Sequence, residues 1–401
     1  MPSNQHITLP AGFTAAGVRC GVKQADTEDL AVIACDRVAS AAVVLTTNQV
    51  VGAPVLWCRQ MLPDGRGKAR GMVINAGCSN VCTGKAGLKD ARTMADRTAK
   101  GIGAEAGQIL VASTGVIGRR LPMDKIRSGI DDACGQLDTG HDDAVARAIL
   151  TTDLQPKSAV EQVTVGGKQA TVAGICKGSG MIAPSLATMI GAITTDVAIT
   201  PAALHKALAS AVDETFNAVT VDTDTSTSDT VAVLASGAAG NKPLTARSKD
   251  FLAFVRALRE VCKSLAWQIA ADGEGATRVI EVRVRNARSA KDAKLAAKSV
   301  ADSPLVKTAA HGCDPNWGRI VMALGKSAAK VNPDRLRVKL AGVTVFSKGV
   351  GRRFDPDELT KKMTTDVLTI ECDLGLGTGE YTALTCDLTR EYIAINADYH
   401  T

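Results

Sequence analysis

Short apolar runs bounded by glycine-rich turns alternate along the chain with amphipathic stretches of helical period. Leu30–Cys35 (LAVIAC), Ala41–Thr47 (AAVVLTT) and Met72–Gly77 (MVINAG) are brief and rich in β-branched residues, and each predicts a strand. Lys85–Gly101 is polar and alanine-rich and predicts a helix. Ile109–Gly118 predicts an apolar strand that ends in a glycine turn. Asp142–Leu150 has helical spacing, and Val163–Ile175 predicts a hairpin folded at Gly166-Gly167. ITTDVAI (Ile193–Ile199) is strand-like. Thr200-Pro201 then supplies an N-cap and a first-turn proline for a helix that buries Leu204, Leu208, Val212 and Phe216. From Val219 to Ala235 a polar, acidic loop separates two short strands. Ser248 is placed to cap a second long helix with a stripe of Phe251, Val255, Leu258, Cys262, Leu265 and Ile269. VIEVRVR (Val279–Arg285) alternates as a half-buried strand does. A change in composition near Asn286–Asp292 suggests a boundary, with a smaller α/β subdomain over residues 286–401. The fold class expected is mixed α/β.

Composition narrows the function classes. A chain of 401 residues with 45% hydrophobic and 22% charged side chains has the balance of a soluble globular protein with more than one subdomain. Aromatic residues make up only 3%, so the core has to be built from Val, Ile, Leu and Ala. The net charge of +6 is mild and spread along the chain, which argues against nucleic-acid binding. The eleven cysteines are scattered, without a C-x-x-C pair, and fit a reducing cytoplasm better than a disulfide scaffold. Only five histidines are present and His311 alone lies near a cysteine, Cys313, so no zinc site is expected. Asp222, Asp224 and Asp229 lack the glycine and terminal glutamate of a calcium loop. No apolar signal core or membrane-length run is seen, and a cytoplasmic location is expected.

The chemistry concentrates in Gly174–Asp196, GICKGSGMIAPSLATMIGAITTD. Glycines surround Lys177, and Pro184 and small residues lead to Thr188. A threonine hydroxyl needs a base beside it to act as a nucleophile. No G-x-S-x-G elbow or nearby histidine supplies one. The α-amino group of Thr188 itself would, if the chain were cut at Ala187–Thr188, because a free α-amine titrates at roughly 7.7–8.0. On these residues alone, a glycine-rich turn before a buried strand or helix, with Thr188 merely packed or capping, is the favoured explanation of the stretch.

KGSGMIAPSLATMIGAITTD resembles the cleavage-site segment of the ornithine acetyltransferase family, also called glutamate N-acetyltransferase, of arginine biosynthesis. NAGCSNVCTGKAGL (Asn75–Leu88), STGVIGRRLPMDKI (Ser113–Ile126), FNAVTVDTDTSTSDT (Phe216–Thr230), DGEGATR (Asp272–Arg278), GCDPNWGRI (Gly312–Ile320) and EYIAINADYHT (Glu391–Thr401) resemble further family segments. They follow in family order over nearly the whole chain. Some positions depart: Ser185-Leu186 replaces Asn-Met, Cys78-Ser79 replaces Gly-Asn, Thr223 and Ser228 stand for Gly and Asn, and Leu384 for Trp.

The resemblance implies an αββα-type sandwich core and a precursor that cuts itself between Ala187 and Thr188. Residues 1–187 and 188–401 then form α and β chains, assembled as α2β2. It implies that Thr188 carries the acetyl group from N2-acetylornithine to glutamate, releasing ornithine and N-acetylglutamate, with Thr114 and Gly115 stabilising the oxyanion. Thr151, with Thr152 as its neighbour in doubt, and Lys177, Glu274, Asn396 and Thr401 are implied to touch substrate, as is Thr188. No metal or bound organic cofactor is implied; acetyl-CoA is a second donor left open. The competing expectations are a self-processing aminopeptidase or amidase, and a metabolite-binding protein in which the threonine is structural.

Overall fold

The computed structural model describes residues 6–183 and 189–398. The chain divides into two compact units, one comprising residues up to Asn217 together with Asp224–Ala266, the other Ala218–Thr223 together with the chain from Trp267 on.

The first unit is built on an eight-stranded mixed sheet. Its strands are β1 (Phe13–Val18), β2 (Leu30–Leu45), β3 (Arg66–Cys78), β4 (Ile109–Val116), β5 (Lys157–Val165), β6 (Lys168–Lys177), β7 (Ile190–Thr195) and β8 (Thr230–Ala235). They lie in the order β4-β3-β2-β8-β7-β6-β5, with β1 paired to β2. The pairs β3–β4 and β7–β8 are parallel and the others antiparallel. Helices α1 (Ala53–Met61), α2 (Gly84–Gly101), α3 (Met123–Gly135), α4 (Asp142–Ala148), α5 (Pro201–Glu214) and the start of α6 (Phe251–Ala271) belong to this unit.

Both faces of the sheet are covered, which is why each half of β2 reads as an apolar run without alternation. Ala31, Ile33 and Cys35 join one core with Leu62, Val145 and Ile149, while Leu30 and Val32 join another with Met94 of α2 and Ile126 and Ile130 of α3. The two strands expected at Leu30–Cys35 and Ala41–Thr47 are one strand, interrupted by a register shift against β3 between Ala34 and Ala39. Exposed Asp36, Arg37 and Val38 occupy that irregularity, and their polarity hides the continuity. The hairpin turn is as expected: Gly166 and Gly167 have φ of 58° and 73°, and Val165 pairs Lys168. Thr200 caps α5, its hydroxyl accepting from the Ala203 N–H at 3.4 Å. Ser248 does not cap α6. Its hydroxyl oxygen accepts the Thr245 N–H at 2.9 Å within a preceding turn, and the helix starts at Phe251 with Phe254 in its buried stripe while Val255 is half-buried.

The second unit has a six-stranded mixed sheet of β9 (Val279–Ala287), β10 (Arg337–Leu340), β11 (Val343–Ser347), β12 (Val350–Gly351), β13 (Val367–Asp373) and β14 (Gly379–Cys386), ordered β12-β11-β10-β13-β9-β14. With it go α7 (Ala290–Ala301), α8 (Pro304–His311), α9 (Trp317–Gly325), α10 (Pro356–Met363) and α11 (Arg390–Asp398). The alternation in β9 sends Ile280, Val282 and Val284 into the core, where Ala293, Ala296, Ala297 and Val300 of α7 meet them. Both units are thus α/β, as expected, and among the described residues no helix is long and apolar enough to cross a membrane.

Close packing makes one glycine in β1 decisive. A Cβ on Gly17 would sit 2.3 Å from the backbone carbon and oxygen of Ala144 in α4. Gly17→Ala is therefore expected to force α4 away from the sheet at a cost of about 1–3 kcal/mol, measured as a lower urea midpoint.

Candidate active site

In the first unit the candidate residues gather where β7 begins. β7 lies between β6 and β8, so Ile190 faces Lys177 on one side and Thr230 on the other. Met189, the residue after Thr188, is held by both of its backbone polar groups. Its N–H donates to Asp229 Oδ1 at 2.9 Å, and its carbonyl accepts the Thr230 N–H at 3.1 Å. Ala187 and Thr188 themselves, with Ser185 and Leu186, lie outside the described residues, as does Thr401.

Lys177 ends β6 and is buried. Its ammonium lies 3.6 Å from Asp153 Oδ2, and the equally buried Lys157 lies 2.7 Å from Asp153 Oδ1. The same Oδ1 accepts the Gly178 N–H at 2.6 Å, and Oδ2 accepts the Thr151 N–H at 3.1 Å. Burial alone would raise the Asp153 pKa. The two ammonium groups and the Gly178 amide outweigh it and hold the carboxyl well below the usual carboxylate range. Thr151 is thus tied through its backbone to the carboxylate that pairs with Lys177, whereas the Thr152 hydroxyl lies 2.7 Å from the Ser179 hydroxyl. Asp229 is the opposite case. It too is completely buried, and desolvation pushes it well above the usual range despite the Met189 N–H and the nearby Lys177.

Thr114 and Gly115 sit at the end of β4, in parallel register with Ala76 and Gly77 of β3. Gly115 has φ of 117°, and a Cβ there would meet the Gly77 carbonyl carbon at 2.4 Å, so only glycine fits. A relay of backbone hydrogen bonds ties this turn toward Asp229. Ser79 N–H donates to Val116 O, Gly118 N–H to Val81 O, Ala53 N–H to Asn80 O, and Gly52 N–H to Thr227 O. Asn75, near the end of β3, braces the start of this relay. Asn75 Nδ2 holds Cys78 O at 2.9 Å while its Oδ1 accepts the Ser113 hydroxyl at 2.6 Å.

The remaining candidates lie in the second unit. Glu274 is buried there, and its Oε2 accepts Asn396 Nδ2 at 2.7 Å. Gly275, with φ of 68°, carries the chain past the start of α11, where a Cβ would stand 2.5 Å from Tyr392 N. Tyr392 Oη in turn lies 3.3 Å from Asp222 Oδ2. Two residues singled out separately, 122 positions apart, are therefore partners. Thr223, standing where glycine is usual, has φ of 70°, a region unfavourable to a β-branched side chain. Asp153, Lys157 and the Met189–Asp229 contact were not singled out as site features. Asp153 stands next to the quoted Thr151-Thr152 pair, and Asp229 was noted only as one acid of a loop.

A glycine-turned strand end that can present amides and, elsewhere in the same unit, a buried lysine with two buried carboxyls are groups that an α/β enzyme of acyl transfer can use. The ArgJ family profile matches residues 14–401, and the chain belongs to the ArgJ family. It is 47% identical over 395 residues to the arginine biosynthesis bifunctional protein ArgJ of Geobacillus kaustophilus, covering 98% of this chain and 96% of that one. The crystal structure of the arginine biosynthesis bifunctional protein ArgJ of Bacillus halodurans is 42% identical, with a TM-score of 0.50, over 51% of this chain and 97% of that chain. Ornithine acetyltransferase of Mycobacterium tuberculosis, solved with ornithine, is 38% identical over 45% of this chain and 95% of that chain, with a TM-score of 0.39.

Asp153→Asn leaves Lys157 and Lys177 buried without their counter-charge, and a loss of about 3–5 kcal/mol is expected. The pH dependence has a definite sign. A carboxyl depressed in the folded state contributes stability that is complete above about pH 5 and is lost as pH falls through the depressed value. Urea midpoints of the wild type should therefore decline below about pH 4, near the unfolded-state pKa, and Asp153→Asn should lack that part of the slope.

Proposed function

We propose that the chain, an ArgJ-family acetyltransferase of arginine biosynthesis, works as a self-cut enzyme with Thr188 as its amino-terminal nucleophile. The observation that carries this reading is the anchoring of Met189: its polar groups are held by the Asp229 carboxyl and the Thr230 N–H, and buried Lys177 stands in the adjoining register. A nucleophile joined to that residue is attached to a strand start whose backbone N–H and carbonyl are both held.

Cleavage begins when the Thr188 hydroxyl attacks the Ala187 carbonyl. The Ala187–Thr188 amide bond breaks as the ester forms, and water then releases the Ala187 carboxylate. The amine so freed is the base. In turnover the Thr188 oxygen attacks the acetyl carbonyl of N2-acetylornithine, the oxyanion resting on Thr114 and Gly115. The hydroxyl proton passes by way of the amine to the departing ornithine. Glutamate then takes the acetyl group from the ester, giving N-acetylglutamate by double displacement. Lys177 and Thr151 are proposed as substrate contacts, as are Glu274, Asn396 and Thr401; the buried Glu274 carboxylate suits an ammonium group.

The length relation with the Bacillus halodurans structure supports cleavage. That solved chain is matched over 97% of its length by 51% of this one, as expected where a precursor is cut near its middle. The two chains are proposed to stay together as α2β2 in the cytoplasm, with acetyl-CoA as a second acetyl donor to glutamate.

Thr188→Ala is expected to leave one uncut chain and to abolish acetyl transfer, a loss of at least about 10³-fold. Intact mass and an ornithine-release assay with and without glutamate check it. Normal cutting in Thr188→Ala would defeat the mechanism, and glutamate-independent release of acetate would favour an amidase.

A further inference from the structure

The loop between β1 and β2 carries a lysine that the acetyl-transfer steps leave without a task. Three amides of this loop wrap one buried carboxylate: the N–H groups of Cys20, Val22 and Lys23 donate to Asp29 at 2.7, 2.5 and 3.0 Å. The Asp29 carbonyl in turn accepts the Ala76 N–H at 2.9 Å. The loop is thereby pressed onto the end of β3. A Cβ on Gly77 would meet Lys23 N and the Val22 carbonyl carbon, each at 3.2 Å. Gly77 is the register partner of Gly115, so the Lys23 backbone lies against the glycine turn assigned to the oxyanion.

The Lys23 side chain is half-buried. Its ammonium donates to the Glu28 carbonyl at 2.8 Å and to the Arg147 carbonyl at 3.4 Å. One of its three N–H groups is left without a partner among the described residues. The carboxylates around it are committed elsewhere: Glu28 to Arg147 at 2.8 Å, Asp29 to the loop amides, and Asp153 to Lys157 and Lys177. Burial holds the ammonium below the ordinary lysine range against the pull of these three carboxylates, and Lys177 adds to the depression. Lys23 therefore lies against the glycine turn while sharing the electrostatic field of the Asp153–Lys177 cluster.

A partly desolvated cation with an open donor and no counter-ion in contact suits an incoming anion. Lys177 can meet one carboxylate. N2-acetylornithine has one and glutamate has two, so a second cation matches the acceptor and not the donor.

We propose that Lys23 is a further substrate-binding residue of the first unit, its ammonium taking the side-chain carboxylate of the glutamate acceptor. This rests on the reading of the glycine turn and Lys177 as parts of the acetyl-transfer site. No bond is made or broken at Lys23; it selects and holds the acceptor while the ester is attacked.

The test uses Lys23→Met, which keeps the apolar stem and removes the charge. The expected result is a KM for glutamate raised roughly 10–100-fold, with kcat at saturating glutamate and KM for N2-acetylornithine each within about threefold. Lys23→Arg, which keeps the charge, is expected to recover part of the glutamate KM. A purely structural role would lower the melting point and leave the glutamate KM of the folded fraction unchanged, or raise both KM values alike, and either result overturns the assignment. A crystal structure of the wild type with glutamate decides independently of how the variants fold. A side-chain carboxylate oxygen within about 3.2 Å of Lys23 Nζ supports the contact, and a separation beyond about 4 Å removes it. A wild type that transfers no acetyl group to glutamate would defeat the functional reading itself, whereas transfer indifferent to Lys23→Met defeats only this contact.

Discussion

Two buried carboxyl groups anchor the backbone on either side of the segment that holds the candidate scissile bond. Asp153 takes the Gly178 N–H and Asp229 takes the Met189 N–H. The two differ in electrostatic state for a reason visible in their neighbours. Asp153 has two lysines against it and stays ionised; Asp229 has one, already shared, and burial dominates. The anchor paired with lysines fixes Lys177, and the one dominated by burial fixes the strand start. Everything that an acyl-transfer reaction needs from this unit depends on those two fixed points, because positional errors near 1 Å are costly to catalysis.

The sheet explains why the anchors lie where they do. β6, β7 and β8 bring residues 177, 190 and 230 side by side, although the chain between β7 and β8 travels through a helix and a polar loop. The glycine turn at Thr114-Gly115 belongs to a distant strand and is tied in by backbone hydrogen bonds through the segments at Ser79–Val81 and Gly52–Ala53. In the second unit the carboxylate of Glu274, in the loop before β9, is paired with the Asn396 amide of α11. Turns and strand ends hold the candidate residues, while the alanine-rich cores hold the turns.

Much of this was legible in the sequence because local signals agreed with the fold. The Gly166-Gly167 turn, the Thr200-Pro201 helix start and the alternation of β9 each reflect short-range stereochemistry, which a sequence carries directly. What was not legible is long-range. The register shift in β2 reads as a break because Asp36 and Arg37 are polar and exposed, yet pairing with β3 resumes at Ala39. Ser248 looks like a cap, but its oxygen faces back to Thr245. Lys157 sits in a polar-looking stretch and is nearly inaccessible, since a partner four residues away neutralises it. No spacing rule links Glu274 to Asn396. The family segments pointed to single residues, and only the fold supplied their partners.

The central claim is that a hydroxyl and an amine on one residue carry the acetyl group, and a covalent trap tests it most directly. Wild-type enzyme is mixed with N2-acetylornithine without glutamate, quenched in acid within a turnover, and analysed by intact mass and peptide mapping. The account requires two chains, the second beginning at Thr188, with a single acetyl mass increment on that first residue that disappears when glutamate is added. An active single chain of 401 residues, or an acetyl group carried elsewhere, would contradict it.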